Sequence, residues 1–547
     1  MITTQAEIIE ILLKNRQVTN RGEFFAPDYQ QVLTRHDPFG MVDMDKAVSR
    51  LVKAKEGQQK IVIFGDYDAD GVTSTALLLD ALASFGFKNV DFYLPDRFTN
   101  GYGLTITAIE DIVTKNKPDL IITVDCGSLN HAEITRANEL GVDVIVTDHH
   151  NLAEIQPSAV AVINPKRPEN NYPNRNLAGV GTAFTLVRAL QTVLTGLENG
   201  REKWLLDLVA IGTIADLMEL TGENRVLVKF GLIVLNKTRR LGLKHLLDKN
   251  KLESVTSETI GFIIGPRLNA AGRLERADLA LEVLTASDLA EADARVEKLD
   301  FLNTKRRALQ NKVYTEAREQ AMKNNDAVLV LSGDNWHEGV VGIAASHIEE
   351  EFQKPVFLLS KKNDVSKGSA RSFGDFSVFE AIEYCRPLLK TGGGHKAAGG
   401  LSLATENFDI FRQRVNEFYT SLNLTNQLQY FEPKIEIELA NFNLLTDDLY
   451  QQIQQFEPFG VGNPEPIFRV KNLKIQQVIL LGTENQHLKL YLSDANNKSF
   501  EMIRFNYNQD WKNRLDDKVD VIFTLSVNYW NGQSKLQGRL LSLQTSQ

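Results

Sequence analysis

The sequence has few cysteines, no long apolar runs and no excess of basic charge. Its two cysteines, Cys126 and Cys385, form no CxxC pair, which excludes a disulfide framework and predicts a reducing, cytoplasmic location. No uncharged apolar stretch is long enough to predict a transmembrane helix, and the first residues lack a signal-peptide pattern, so no membrane partner is expected. The net charge of −9 argues against binding duplex nucleic acid over a large basic face. Nucleic acid held in a local groove stays compatible with this charge.

The length and composition predict a globular protein of several domains. The 547 residues exceed what one hydrophobic core usually organises, and 43% hydrophobic with 24% charged residues is ordinary for a folded chain. From Leu51 to about Thr285, apolar strands alternate with amphipathic helices, which predicts an α/β domain with a parallel sheet.

The segment Ile61–Leu79, IVIFGDYDADGVTSTALLL, is the centre of this domain. A buried strand is predicted for Ile61–Phe64, and Asp66, Asp68 and Asp70 follow within one turn. Carboxylates crowded at a strand end repel one another unless a cation lies between them. An Asp-rich surface turn is the alternative reading of this segment alone.

Three more acidic positions follow the same logic. DLIITV ends on Asp125, VDVIVT ends on Asp148, His149 and His150, and the apolar run Leu205–Leu217 carries Asp216. Because ligands bind outside the carboxyl ends of parallel strands, these side chains are expected to converge on one crevice. Carboxylates with imidazole suit two divalent ions that promote displacement at phosphorus, and imidazole favours Mn²⁺ over Mg²⁺, with Zn²⁺ and Co²⁺ left open.

The motifs GDYDADG, VDCG, TDHH and GTIAD, in this order, resemble the four motifs of the DHH phosphoesterase superfamily. The segment GPRLNAAGR, with Arg267, Asn269 and Arg273, resembles the RecJ exonucleases within it, and Arg97 in YLPDRFTNGYG adds to that likeness. Arginines beside small residues also suit close approach to phosphate oxygens, whereas solvated arginines on an inter-helix turn are the alternative.

Two further units are predicted downstream. Ser287–Asn325 reads as one helix that could span about 60 Å, and Lys305–Arg306–Arg307 on it reads as a solvated face rather than a DNA-facing one. A second α/β unit follows, with GSARS and a glycine-rich loop, TGGGHKAAGG, whose N–H groups would face phosphate. It resembles the DHH-associated domain, and its expected substrate-binding residues are Ser369, Arg371, Ser372, Gly393, Gly394 and His395.

Beyond Gln427 the pattern alternates apolar and polar residues over about five strands, which predicts an OB-fold barrel. Phe505, Tyr507, Tyr529 and Trp530 are candidates to stack on bases, although most aromatics of a small barrel belong to its core. The expected domains are a helical arm (1–50), a DHH catalytic domain (51–285), a connecting helix (286–325), a DHH-associated domain (326–423) and the barrel (424–547).

The resemblance implies a single-strand-specific DNA exonuclease that degrades 5′ to 3′ and releases 5′-mononucleotides, in recombination and repair. It implies two divalent ions, Mn²⁺ preferred and Mg²⁺ as the alternative, on Asp68, Asp70, Asp125, His149 and Asp216, with Asp125 bridging. It further implies that Asp66 is a ligand or lies just behind the ligands, that Asp148 orients His149, and that His150, with Arg267, Arg371 and His395, holds phosphates. Single-stranded DNA is the expected partner, with a single-strand-binding protein and a helicase as further candidates.

Two other functions are alternatives for the same motifs. A DHH-type nanoRNase or cyclic dinucleotide phosphodiesterase shares the metal motifs, but the barrel and GPRLNAAGR argue against it. A non-catalytic replication scaffold of the same ancestry would have lost metal ligands, and here every motif is intact.

Overall fold

The computed structural model describes residues 2–96, 103–424, 433–482, 485–505, 514–530 and 533–546. Arg97 and Tyr507, and the side chains of Tyr529 and Trp530, lie outside what it describes. No helix in the described ranges is both long and apolar enough to span a membrane.

The α-helices of the described residues lie between Gln5 and Gln454. They are α1 (Gln5–Asn15), α2 (Arg21–Phe25), α3 (Tyr29–Arg35), α4 (Met44–Glu56), α5 (Ala69–Ser84), α6 (Ile106–Asn116), α7 (His131–Glu139), α8 (Gly179–Gln191), α9 (Leu206–Ala215), α10 (Gly222–Leu235), α11 (Leu241–Lys249), α12 (Ser257–Thr259), α13 (Gly265–Leu274), α14 (Asp278–Thr285), α15 (Leu289–Met322), α16 (Glu338–Phe352), α17 (Val378–Tyr384), α18 (Phe408–Ser421) and α19 (Asp447–Gln454).

The strands form three sheets. They are β1 (Ile61–Gly65), β2 (Val90–Tyr93), β3 (Leu120–Val124), β4 (Asp143–Thr147), β5 (Ala161–Ile163), β6 (Leu329–Asp334), β7 (Val356–Lys362), β8 (Val365–Arg371), β9 (Leu389–Gly394), β10 (Ala398–Ala404), β11 (Ile437–Leu439), β12 (Phe468–Leu481), β13 (His487–Ser493), β14 (Ser499–Arg504), β15 (Lys518–Trp530) and β16 (Gln533–Thr545).

The first sheet is parallel throughout, with strand order β2-β1-β3-β4-β5. Strands β1 and β3 are buried at every residue, as their uninterrupted apolar sequences require of strands covered on both faces. Helices α5, α8 and α9 pack against one another, and their many buried residues belong to the main core. The carboxyl ends of β1, β3 and β4 therefore lie side by side, next to the ends of these helices.

Helix α15 links the first domain to the second. Its 34 residues contact α11, α13 and α14 of the first domain, and α16 and β6 of the second. The predicted helix over Ser287–Asn325 is confirmed, and at 1.5 Å per residue its length is about 51 Å.

The second sheet has strand order β6-β7-β8-β10-β9, with β6 and β7 parallel and the other neighbours antiparallel. The prediction of a glycine-rich loop in TGGGHKAAGG is wrong. Gly392, Gly393 and Gly394 lie in β9 and pair with Leu401, Gly400 and Gly399 of β10, so the segment is a hairpin. A Cβ at Gly394, whose φ is +149°, would lie 2.4 Å from the carbonyl oxygen of Ala398, so close strand approach explains the glycine.

The C-terminal domain is a closed barrel of five strands. Their order is β12-β13-β14-β16-β15, β12 also pairs with β15, and β14 runs parallel to β16. This arrangement confirms the predicted OB-fold. The short strand β11 adds to β12 outside the barrel.

The N-terminal arm is divided between two cores. Ile8, Leu12 and Leu13 of α1 are buried in the core of the barrel, whereas α3 and α4 pack on the first domain. The ion pair between Arg16 and Glu436, 2.9 Å long and almost completely buried, fastens α1 near β11. The two ends of the chain thus share one core.

The Pro/Gly-rich segment before β12 is clamped onto the first domain. Arg225 of α10 donates to the carbonyl oxygens of Phe456 (2.7 Å) and Glu457 (2.9 Å), and its guanidinium lies 3.9 Å from the ring centroid of Phe24. The N–H of Leu220 donates to Val461 O at 2.7 Å. The buried Arg225 of the first domain therefore contacts both the N-terminal arm and the segment before β12.

Candidate metal centre and adjoining arginines

The turn after β1 holds three aspartates in fixed positions. Asp68 caps α5, its Oδ1 accepting from the N–H groups of Asp70 (2.9 Å) and Gly71 (3.1 Å). Asp66 Oδ1 accepts from the Tyr67 N–H at 2.8 Å. A Cβ at Gly71 would lie 2.3 Å from the Asp66 carbonyl oxygen, so only glycine allows this turn to close.

Asp70 is held by the first turn of α8. Its Oδ2 accepts from the Gly179 N–H at 2.6 Å and its Oδ1 from the Val180 N–H at 2.9 Å. Free N–H groups at a helix start, with the helix dipole, stabilise a carboxylate. Neither Gly179 nor Val180 was predicted from the sequence, since no motif marks a helix start 109 residues away.

Asp125 and His149 lie at the centre of the cluster. Asp125 has a φ of +60°, an uncommon conformation that turns the chain directly after β3. His149 Nε2 lies 3.0 Å from Asp125 Oδ1, 3.5 Å from Asp216 Oδ2 and 3.8 Å from Asp70 Oδ2. Asp216 follows the last residue of α9, so the structure brings together the acidic residues of all four motifs.

Asp148 contacts both histidines of the TDHH motif. Its Oδ1 accepts from the backbone N–H of His149 (2.7 Å) and lies 2.8 Å from His150 Nδ1, and its Oδ2 accepts from the Ser128 N–H (2.9 Å). Asp148 therefore holds the backbone of His149 and the ring of His150, and its predicted role in orienting His149 stays a prediction. Asn164, which the sequence did not reveal, donates to Ser128 Oγ and to the carbonyl oxygen of His150.

The carboxylates destabilise one another's charged forms. Burial, together with the charge of Asp68, raises the pKa of Asp66 and of Asp216 to about 7. Burial also raises the pKa of Asp70 and of Asp125 well above the ordinary range, and neighbouring aspartates add to the effect. A bound cation would reverse these shifts.

The histidines respond in opposite directions. Burial and the charge of His150 lower the pKa of His149 to about 3, which keeps it neutral and able to donate a lone pair. The hydrogen bond with Asp148 raises the pKa of His150 to about 9. Burial opposes ionisation of Asp148, but hydrogen bonds from His150 and Ser128 lower its pKa below the ordinary value.

The donor set fits divalent metal ions. Asp125 Oδ1 and both ring nitrogens of His149 are buried without a hydrogen-bond partner among the described residues. Three overlapping groups each place their ligand atoms within 4.8 Å of one another, and these groups are Asp66–Asp68–Asp125, Asp70–His149–Asp216 and Asp125–His149–His150. Buried polar atoms without partners are costly in a folded protein, and a coordinated ion would satisfy them.

Helix α13, which contains GPRLNAAGR, adjoins this cluster. Asn269 Oδ1 accepts from the Ala69 N–H at 2.8 Å, directly beside Asp68. Arg273 Nη1 donates to the Gly339 carbonyl oxygen at 3.3 Å, at the start of α16. Arg267 is engaged away from the cluster, with Asp300 of α15 at 2.6 Å and Asn250 Oδ1 at 2.6 Å. Its predicted contact with phosphate stays a prediction.

Arg371, the last residue of β8, packs against α16, the helix that Arg273 also contacts. Its Nε donates to Ser346 Oγ at 2.9 Å, and a Cβ at Gly342 would lie 3.2 Å from both Arg371 Nη2 and Ser369 Oγ. Burial lowers the pKa of Arg371 from its ordinary value, and the charge of Glu349 opposes this effect. The absence of a side chain at Gly342 therefore makes room for the side chains of Ser369 and Arg371.

The hairpin turn of the second domain joins GSARS through the backbone. The N–H of Ser372 donates to Ala397 O at 2.8 Å, and the Ser372 hydroxyl donates to Phe376 O. His395 is exposed in that turn and lines a shallow cavity of about 490 Å³ with Asp375, Ser377 and Lys396. Gly393 and Gly394 precede it on β9.

Comparison with known families gives the class of protein. Residues 60–213 match the DHH family, N-terminal domain, residues 325–421 match the DHHA1 domain, and residues 435–542 match the RecJ OB domain. The chain is thus a DHH-domain protein with a DHHA1 domain and an OB barrel of the RecJ type.

The individual relatives define the family more closely. The single-stranded-DNA-specific exonuclease RecJ of Bacillus subtilis (strain 168) is 38% identical over 510 residues, which are 92% of this chain but 63% of that protein, less than two thirds of its length. RecJ of Dickeya dadantii (strain 3937) is 36% identical over 516 residues, which are 90% of this chain and 88% of that protein. The crystal structure of RecJ in complex with Mn²⁺ from Thermus thermophilus matches with a TM-score of 0.81 and 30% identity, covering 98% of this chain and 76% of that one, and its Mg²⁺ complex matches with a TM-score of 0.76. The chain belongs to the RecJ family of single-stranded-DNA-specific exonucleases.

Proposed function

We propose that this protein is a divalent-metal-dependent exonuclease that degrades single-stranded DNA from the 5′ end and releases 5′-mononucleotides. The observation that carries the proposal is the convergence of Asp70, Asp125, His149 and Asp216, with unpartnered buried ligand atoms, in a chain of the RecJ family. A reducing cytoplasm and a role in recombination and repair are part of the proposal, as is contact with a single-strand-binding protein and a helicase.

Five residues are proposed to hold two metal ions. They are Asp68, Asp70, Asp125, His149 and Asp216. Asp125 and His149 each belong to two of the three groups of close ligand atoms, and Asp125 would be shared because a carboxylate has two ligand oxygens. Mn²⁺ is favoured by the mixed carboxylate and imidazole set, and Mg²⁺ is the alternative. When bound, such ions lower the pKa of water and neutralise charge that develops on phosphate oxygens.

The surrounding residues have distinct proposed tasks. The α8 N–H groups favour the ionised form of Asp70 and hold its carboxyl group in the cluster. Asp66 lies within reach as a further ligand or as support. Asp148 keeps the half-exposed His150 protonated, so His150 would present positive charge to a phosphate oxygen. Asn269 fixes the backbone at Ala69, and a shift of that loop would move Asp68.

The second domain is proposed to hold the strand. Arg273 of α13 and Arg371 of β8 both contact α16, and α13 also contacts the loop of Asp68 through Asn269. Their guanidinium groups suit bidentate phosphate contacts. Ser369, Ser372, Gly393, Gly394 and His395 would add hydroxyl, backbone and imidazole contacts, and the barrel would hold more distant nucleotides by stacking and backbone contacts.

The experiment is digestion of oligodeoxynucleotides labelled at either end, single- and double-stranded, with Mn²⁺, Mg²⁺ or chelator. Release of labelled mononucleotide from the 5′-labelled single strand at the earliest times is expected, with no product in chelator. Equal cleavage of duplex and single strand, or early release from the 3′ label, would contradict the proposal. Activity confined to dinucleotides would indicate a nanoRNase instead.

A further inference from the structure

Helix α15 carries a polar stripe where it passes between the two α/β domains. Asp300, Asn303, Arg306 and Gln310 recur at intervals of three or four residues, so they lie on one face of the helix. Asn303 and Gln310 are 6% and 7% exposed, although amides usually prefer solvent. Buried amide groups need hydrogen-bond partners, and both of these amides accept a hydrogen bond from Arg306.

Arg306 is held by these amides. Its Nη2 donates to Asn303 Oδ1 at 2.7 Å and its Nη1 to Gln310 Oε1 at 2.8 Å, while its Nε is buried without a hydrogen-bond partner among the described residues. The amides orient the guanidinium but supply no negative charge. The carboxylate of the stripe, Asp300, is occupied by Arg267 at 2.6 Å.

The surroundings of Arg306 are cationic. Burial and the charges of Arg273, Arg307 and Arg267 lower the pKa of Arg306 to about 10. Several positive charges around a half-buried guanidinium destabilise the folded protein unless an anion binds nearby. Lys305 and Arg307 are exposed, as expected for a solvated face, whereas Arg306 is half-buried.

The stripe lies beside α13 and α16, and α13 also contacts the loop that carries Asp68. Asn269 of α13 contacts Ala69 beside Asp68, and Arg273 lies one turn further along the same helix, about 6 Å away. Arg273 contacts Gly339 at the start of α16, and Gln310 Nε2 lies 3.4 Å from His347 Nε2 of α16. The face of α15 with Arg306 is thus at the junction of α13 and α16, beside the two domains proposed to hold the strand.

We propose that Arg306 binds a backbone phosphate of the single strand, with Asn303 and Gln310 holding its guanidinium in place. This inference rests on the proposed function and adds a phosphate contact on the connecting helix. A pre-oriented guanidinium loses little side-chain entropy on binding, and a phosphate supplies the negative charge that the amides do not.

The test is binding of a fluorescent oligothymidylate by the full chain in chelator, across a range of salt concentrations. Arg306→Gln is expected to weaken binding about tenfold or more and to lower the slope of log K against log salt by about 0.7, the value for one lost phosphate contact on a single strand. Arg306→Lys should keep most of the slope but bind more weakly than the parent, because an ammonium group cannot reproduce the fork. With metal, kcat/KM on the same strand should fall by a similar factor.

The matched control is Arg318→Gln on the same helix. Arg318 forms an ion pair with Glu351 at 2.7 Å, so its charge is already balanced, and affinity and slope should stay near those of the parent. If Arg306→Gln keeps the parent's affinity and slope while its unfolding temperature falls, Arg306 only joins helices and the inference is wrong. If Arg306→Gln does not fold, Arg306→Lys decides, and parental affinity in that variant overturns the inference. Failure of the parent to digest single strands would instead reject the proposed function, which the binding slopes do not measure.

Discussion

Gly179→Ala should reduce hydrolysis strongly although glycine has no side chain to bind anything. A Cβ at position 179 would lie 2.7 Å from both Cβ and Oδ1 of Asp125. Ordinary contact between carbon atoms is about 3.5–4.0 Å, so either Asp125 or the start of α8 must move by about 1 Å. The backbone N–H of Gly179 also donates to the carboxylate of Asp70, so a shift of α8 would displace a second carboxylate.

The expected magnitudes follow from this overlap. Overpacking of a buried site costs about 1–3 kcal/mol of unfolding free energy, which leaves the domain folded. Misplacing catalytic groups by about 1 Å costs on the order of 100-fold in rate. Turnover should therefore fall about 100-fold in Gly179→Ala, and the metal content after dialysis should fall with it.

The assay is initial-rate digestion of a labelled single strand at saturating Mn²⁺, with thermal unfolding and metal analysis alongside. Gly181→Ala is the matched control, since it lies on the same helix and its Cβ would meet the flexible end of Leu177 at 3.1 Å rather than a carboxylate. Gly181→Ala should lower the free energy of unfolding by a similar amount and leave turnover near that of the parent. Parental turnover in Gly179→Ala, or equal losses in both variants, would refute the reasoning.

Four further predictions concern other parts of the molecule. Asp125→Ala should abolish detectable hydrolysis while far-ultraviolet circular dichroism stays unchanged, and residual turnover near the parent's would reject two-metal chemistry. Arg371→Lys should lower kcat/KM by about tenfold or more at unchanged metal content, because an ammonium group cannot make the two parallel hydrogen bonds of a guanidinium. A kcat/KM equal to that of the parent would count against a phosphate contact at Arg371. Arg225→Met should remove the hydrogen bonds to Phe456 and Glu457 and the contact with the Phe24 ring, at a cost of about 2–4 kcal/mol in unfolding free energy. Proteolysis of the Pro/Gly-rich segment before β12 should increase, and unaltered proteolysis is the contrary result. Burial opposes ionisation of Glu501, but Lys489 and Lys535 lower its pKa, so its stabilisation is present above the ordinary pKa of about 4.5 and is lost as pH falls through the lowered value. Glu501→Gln should therefore lower the unfolding temperature more at about pH 7 than at about pH 3, and an equal loss at both would exclude the ion pairs as the cause.

Local patterns were enough to predict much of this molecule. The apolar runs of β1, β3 and β4 each end on an acidic residue, and parallel strands must bring those ends to one edge of the sheet. Helix α15 followed from its periodicity, and the barrel from alternation of apolar and polar residues. Such features depend on spacing along the chain, which the sequence contains directly.

Contacts between distant segments needed the tertiary structure. The α8 N–H groups that hold Asp70 lie 109 positions from it, and α1 packs into a barrel more than 400 residues away. The glycines of TGGGHKAAGG resembled a loop because glycine is common in loops, and only pairing with β10 made them strand residues. Arg306 looked like one charge of a solvated run, because its burial, its amide partners and its cationic neighbours come from α13, α15 and α16 packed together. The sequence by itself determined which residues are candidates for the metal chemistry. Tertiary packing decided what holds each of them in place, since packing partners leave no pattern along the chain.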